Sequence, residues 1–183
     1  MEYEAALNKA WSQLVPEIPA DKKEIRFLAD DYDIDLINRR VLSAACNVPA
    51  KGYISIILLH YLLKSLKGIP AATGEWISFR DLDGGQAYYP TFKSRVLEPI
   101  LRKYGSDPEA ICGLIKRFDA VKAQHADAGV ILKALEGVPI LITMTGADED
   151  FGAQANMLFD KSIKDIFCTE DVTVLSEIIA HSI

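Results

Sequence analysis

Cysteine and histidine are both scarce in this sequence, three of each in 183 residues. Cys46, Cys112 and Cys168 lie far apart and none belongs to a C-x-x-C pair. An odd, dispersed set offers no disulfide framework, in keeping with a reducing compartment, and no clustered thiolates for a structural zinc site. Each cysteine is expected to be a small core hydrophobe. His60, His125 and His181 are too widely spaced for a local metal motif, and His181, near the end of the chain, is expected to fray into solvent.

Positive charge is also short. Twenty basic side chains face 26 acidic ones, a net charge of −6. Basic residues are never denser than adjacent pairs such as Arg39-Arg40. Nucleic-acid binders and anionic-membrane binders draw their affinity from clustered Lys and Arg, so neither partner is expected. No apolar run is long enough for a membrane span. The longest, Gly52 to Leu63, covers twelve residues, or roughly 18 Å of helix against a hydrocarbon layer of ~30 Å. The opening Met1-Glu2-Tyr3-Glu4 has neither the basic nor the apolar region of a secretory signal. A cytoplasmic location is the expectation.

Catalytic signatures are missing too. There is no G-x-S-x-G elbow and no cysteine in a His-activated motif. Asp83-Gly84-Gly85 is followed by no lysine, so it reads as a turn rather than a phosphate cradle. Asp31, Asp33 and Asp35 suggest a calcium loop, but its sixth and twelfth positions hold Leu36 and Leu42 where Gly and Glu are required.

What is present is core-forming material: half of the residues are hydrophobic, enough to bury a substantial interior. Tyr3, Leu7, Ala10, Trp11 and Leu14 recur at helical spacing, and Pro16 and Pro19 are expected to stop that helix. Ile25–Leu28 and the alternating run Asp31–Leu36 read as strands, the second as a charged edge, with Val41–Ala45 returning after a turn at Asn38-Arg39. Gly52–Lys67 is apolar almost all round and reads as a buried central helix ended by Gly68 and Pro70. Glu75–Arg80 reads as a strand placing Trp76, Ser78 and Arg80 on one face. Thr91–Tyr104 has Phe92, Val96, Ile100 and Tyr104 in helical register, with Pro99 forcing a kink or restart. A helix is expected to start at Ser106-Asp107-Pro108-Glu109. Gly129–Leu135 and Val138–Met144 form a hairpin turning at Glu136-Gly137, and Pro139 hints at an edge. Asn156–Asp160 adds a strand, and a final helix begins at Thr169-Glu170-Asp171. The sum is one α+β domain over residues 1–183, with a mainly antiparallel sheet, a buried central helix and several covering helices.

Three stretches are familiar. Leu58-Leu59-His60-Tyr61-Leu62 is one, and Gly74-Glu75-Trp76-Ile77-Ser78-Phe79-Arg80 with Gly84-Gly85 is another. The third is Asp148-Glu149-Asp150-Phe151 leading to Leu158-Phe159-Asp160. Together they resemble the prokaryotic domain-of-unknown-function family 3786, over about residues 52–180 and more loosely through the N-terminal helix and hairpin of 1–50. The resemblance implies a setting in anaerobes, near corrinoid or redox proteins, with some members carrying a four-cysteine iron–sulfur module. The three cysteines here cannot supply such a cluster. A corrinoid or other tetrapyrrole ligand, and an iron–sulfur or corrinoid protein partner, are implied by the family setting alone. Where the family has proline after the acidic loop's Phe, this chain has Gly152.

Candidate ligand-binding residues follow from chemistry. Trp76, Ser78 and Arg80 would pair an aromatic plane with a guanidinium, suited to a flat or anionic ligand. Asp148, Glu149 and Asp150 could hold a cation or an acid–base pair, though they could equally cap or solvate a turn. His60 is an isolated imidazole on an apolar helix, and Asp160 ends a strand. If these groups share one concavity, a non-catalytic accessory or ligand-binding protein is the leading reading. A carboxylate-based, metal-assisted hydrolase or transferase is the alternative, and an interaction scaffold the third. The ligand and the oligomeric state are not written in the sequence.

Overall fold

The computed structural model describes residues 3–14, 22–124 and 126–183. Pro16, Pro19 and His125 lie outside the described residues. The fold is α+β, and the chain divides into two compact units, residues 1–70 and 71–183.

In the first unit, α1 (Glu4–Leu14) buries Ala10, Trp11 and Leu14. Tyr3 stays exposed and sets its ring edge-on to Tyr53 at 6.4 Å. Strands β1 (Lys22–Phe27), β2 (Asp30–Asp35) and β3 (Arg40–Ser43) form an antiparallel meander in that order. Period-two alternation holds in β2: Tyr32 and Ile34 are buried, while the flanking aspartates are half-exposed. Contrary to the edge reading, β2 is the central strand. Two of its carboxylates face basic residues across the ladder, Asp31 opposite Arg26 and Asp35 opposite both Lys22 and Arg40, while Asp33 faces Glu24 and Leu42. The charge row is therefore partly balanced across a solvated face instead of guarding an edge. Asp35 also accepts from the Asn38 amide at 2.9 Å and its side-chain nitrogen at 2.8 Å, closing the turn to β3. Next, α2 (Gly52–Ser65) buries Ser55, Ile57, Leu58, Leu59, Tyr61 and Leu62 and packs on α1. It is followed by Gly68 at φ 94°, the left-handed stop expected there.

The second unit is built on a five-stranded antiparallel sheet. Its strands are β4 (Trp76–Ser78), β5 (Val121–Lys122), β6 (Ala128–Leu135), β7 (Val138–Thr145) and β8 (Gln154–Asp160). They lie in the order β4-β8-β7-β6-β5. The β6–β7 hairpin turns at Glu136-Gly137, with Gly137 at φ 73°. Pro139 does not mark an edge, because β7 is the middle strand. Pairing between β7 and β8 begins at Ile140, so no pair with β8 includes the proline, and a register shift follows its partner Lys133 on β6. Ile140 through Met144 are buried on both faces of β7, as a covered central strand requires.

The helix expected from Thr91 starts earlier. It runs as α3 (Gly85–Phe92), a π-helical turn (Lys93–Leu97) and α4 (Glu98–Tyr104). Pro99 lacks an N–H and crowds the carbonyl four residues back. The wider turn lies just where that crowding falls, so the chain bulges rather than breaks. Phe92, Val96, Ile100 and Tyr104 are all buried, keeping the expected face. A 3-10 turn (Pro108–Gly113) precedes α5 (Leu114–Phe118), so the predicted start at Ser106–Glu109 opens a tighter helix than expected.

The closing helix, α6 (Thr169–Ser182), buries Val172, Leu175 and Ile179. Its end is not frayed. His181 is exposed but within the helix, Ile183 is buried, and Lys103 Nζ donates to the Ile183 carbonyl at 2.6 Å. The cysteines are not core residues either: Cys46 and Cys168 are exposed and Cys112 half-buried. Each sits in a turn or at a helix start, where the chain faces solvent. Among the described residues, no helix is long and apolar enough to cross a membrane.

Candidate functional site

β4 pairs with β8 so that Trp76 is opposite Asp160, Ile77 opposite Phe159 and Ser78 opposite Leu158. Asp160 is 2% exposed, and its carboxylate is fully engaged. It accepts from the Thr73 amide (3.0 Å), the Thr73 hydroxyl (3.1 Å), the Gly74 amide (2.7 Å) and the Ser162 amide (3.0 Å). Burial by itself would raise its pKa. The hydrogen bonds from Thr73, Ser162 and Gly74 outweigh that and hold the carboxyl well below the ordinary range. Asp160 therefore fastens the approach to β4 and caps the 3-10 turn that follows β8 (Lys161–Asp165). Glu75 and Lys161, flanking the same junction, pair at 2.8 Å.

The strand over Glu75–Arg80 ends two residues early. At Ser78 the chain enters a 3-10 turn (Phe79–Asp81) closed by a capping box. Asp81 Oδ2 accepts from the Ser78 amide at 2.8 Å and the Ser78 hydroxyl at 2.9 Å. These bonds keep the Asp81 carboxyl below its usual value. Local capping thus overrides the period-two pattern, and Arg80 leaves the face of Trp76 and Ser78. Its guanidinium lies 3.8 Å from the Tyr89 ring centroid instead.

Two glycines complete this segment. Gly84 sits at φ 72°. At Gly85 a Cβ would lie 2.0 Å from the Phe79 carbonyl oxygen, so no side chain fits. The close approach lets α3 fold back over the turn and stack Phe79 on Phe92 at 4.1 Å. The run from Gly74 to Gly85 is thus largely an instruction for backbone shape.

The acidic loop lies elsewhere. It joins the end of β7 to the start of β8, whereas Asp160 closes β8, and a seven-residue strand spans roughly 20 Å. Asp148 accepts from the Asp150 amide (2.9 Å) and the Phe151 amide (2.6 Å), so it shapes its own turn. Glu149 and Asp150 are exposed. His60 is half-buried on α2 in the first unit. The structure thus brings Trp76, Ser78 and Asp160 together and sets the acidic loop at the opposite end of the sheet from Asp160. Among the described residues, no group of three or more His, Cys, Asp or Glu side chains could hold a metal ion.

Sequence reasoning did not find the groove beside the α6 start. Leu82 and Asp83 form one wall and residues 164–170 the other, around a volume of about 540 Å³. Thr169 Oγ1 donates to the Asp83 carbonyl at 2.7 Å and ties the walls together. The lining mixes apolar Ile166 and Phe167 with Lys164, Asp165 and Glu170, and it includes Cys168. Desolvation is the main cause that pushes the Cys168 thiol up to about 11; the Asp171 amide pulls it down, but the charge of Asp171 adds to the rise. At neutral pH this is a protonated, weakly nucleophilic thiol. The sequence did mark Thr169-Glu170-Asp171 as a helix start, but the opposing wall comes from a turn some 86 residues earlier.

A family model described as a domain of unknown function (DUF3786) matches residues 8–182. No curated protein and no solved structure matches the chain. The match takes in the N-terminal meander and α2 together with the Gly74–Gly85 run, whose shape-setting glycines and capping box are described above. The chain therefore belongs to the family of this domain of unknown function, DUF3786.

Proposed function

We propose that this protein is a cytoplasmic accessory protein that binds a small ligand in the groove between the Asp83 turn and the start of α6. The observation that carries the reading is the groove itself. Its volume of about 540 Å³ falls within the ~300–1,000 Å³ usual for small-molecule sites. Apolar and charged side chains converge on it, which supports capture and orientation of an organic molecule. A link to iron–sulfur, corrinoid or other redox metabolism in anaerobes rests on the resemblance alone, as does an iron–sulfur or corrinoid protein as partner.

The carboxylate-based catalytic reading has less support. Asp160 is occupied by four donors and Asp148 by its own loop. Asp160 is thus taken up by its own donors, and the exposed acids of the 148–150 loop stand at the other end of the sheet from it, so the carboxylates do not converge on one site.

A thermal-shift screen of the full chain against haem, cobalamin and a library of small organic molecules tests the proposal. Each stabilising compound is then tested on Cys168→Trp, which fills the groove, and on Trp76→Ala and His60→Ala, which leave it open. Binding lost in Cys168→Trp alone supports the groove. Binding abolished by Trp76→Ala or His60→Ala, yet unchanged by Cys168→Trp, places the ligand elsewhere and overturns it. So does a screen in which nothing stabilises the protein.

A further inference from the structure

Beyond the groove, we propose a second binding point: an oxyanion site at Arg80 for a small molecule carrying a phosphate or carboxylate. Arg80 is not part of the groove lining. Its side chain is exposed, and the guanidinium lies flat enough on Tyr89 to come within 3.8 Å of the ring centroid. Stacking uses the face of the guanidinium and leaves its N–H edges pointing outward. Among the described residues no carboxylate or carbonyl accepts from those edges. The neighbouring acid Asp81 is the natural competitor, yet its carboxylate is turned back onto Ser78 by two hydrogen bonds.

The support beneath Arg80 is rigid. Tyr89 packs on Phe92 at 6.2 Å, and Phe92 stacks on Phe79, the residue before Arg80. Both ends of the cation–π contact are thereby anchored in the same aromatic stack. An arginine held this way has less rotamer freedom to lose on binding than a free surface side chain. Other donors lie on the helical segment that carries Tyr89. Tyr88, whose ring lies 6.3 Å from Phe79, is 38% exposed, and neither the Tyr88 nor the Tyr89 hydroxyl has a partner among the described residues. Lys93 follows Tyr89 by about one helical turn and is exposed. A guanidinium fork lying on a tyrosine suits a compact oxyanion that accepts several hydrogen bonds at once.

The test is a titration of the labelled full-length protein with inorganic phosphate and, separately, with acetate, followed by NMR. Ionic strength is held constant with chloride. The readouts are the Arg80 Nε–H signal, assigned by its disappearance in Arg80→Lys, and the Tyr89 backbone amide. Saturable shifts at both positions with either anion support the site, and the anion that saturates first identifies the ligand class. Binding read at Tyr89 should weaken about tenfold in Arg80→Gln and by less in Arg80→Lys. Tyr89→Leu, followed at the Arg80 signal, should weaken it more than Tyr89→Phe, which keeps the stacking ring and loses only the hydroxyl donor. Shifts that stay linear in anion, or that match those of the exposed Arg102, overturn the proposal. Saturation at Tyr89 that survives Arg80→Gln overturns it as well. These signals are read outside the groove, so a failed groove screen leaves the result intact.

Discussion

Trp76 and Asp160 face each other across the β4–β8 ladder, but they do different jobs. The indole is half-exposed, whereas the carboxylate is buried and holds the Thr73-Gly74 approach to the strand. A residue pair that reads as a binding surface in sequence is, on its acidic side, a structural clamp.

Asp160→Asn should destabilise the protein by about 2–3 kcal/mol, because an amide cannot accept from all four donors and presents its own N–H groups to them. Urea denaturation measures this. The pH dependence has a definite sign. Since folding depresses the Asp160 pKa, its contribution is complete above the ordinary carboxylate value of 3.8 and declines as pH falls below it, where only the unfolded chain takes up the proton. Asp160→Asn should lack that part of the acid slope. An unchanged slope would show that the clamp is not ionised.

Gly85→Ala should cost about 3 kcal/mol, since its Cβ would collide with the Phe79 carbonyl oxygen and α3 would have to move. Gly113→Ala is the control. That residue has φ −60° and nothing within 4 Å of a Cβ, so alanine should be neutral or stabilise by up to about 1 kcal/mol. Thermal melts should place Gly85→Ala well below the parent and Gly113→Ala at or above it.

Cys168 should react slowly with iodoacetamide at neutral pH. In a Cys46→Ser, Cys112→Ser background, the rate should climb about tenfold per pH unit and level off only near 11, the value to which partial desolvation pushes the thiol. A plateau near pH 8 would mean that partial burial beside the groove does not hold the thiol up. A ligand seated in the groove should slow the reaction further.

Each unit carries one tryptophan, Trp11 in the first and Trp76 in the second. The reading of the chain as one domain predicts that Trp11→Phe and Trp76→Phe variants, each reporting through the remaining indole, unfold at the same urea concentration. Two separated midpoints would show that the units fold independently.

Much of the fold was legible because burial periodicity is local. Phe92, Val96, Ile100 and Tyr104 recur every four residues, and Tyr32 and Ile34 every two, so helix and strand declare themselves before any partner is known. Strand order did not. The aspartates of β2 and Pro139 of β7 both looked like edge signals, yet both strands are central. Charge can be balanced across a ladder, and a proline is tolerated where pairing with one neighbour has not begun. Arg80 was misplaced for a related reason: alternation continued in the sequence, but the Ser78–Asp81 capping box ended the strand. The cysteines were assigned inward by residue type, whereas solvent exposure is set by the turns that carry them.

By itself, the sequence determined the α+β class, the helix faces, the hairpin at Glu136-Gly137 and the lack of a dense run of basic residues. These depend on residue type and spacing along a few turns of chain. Only the tertiary structure decided that Asp160 is a clamp, that Gly85 must be glycine, that Arg80 rests on Tyr89 and that a groove opens before α6. Each of those facts joins groups distant in sequence or set by backbone geometry, and the energy of a hydrogen bond, a stack or a steric overlap depends on separations in space that residue spacing does not encode.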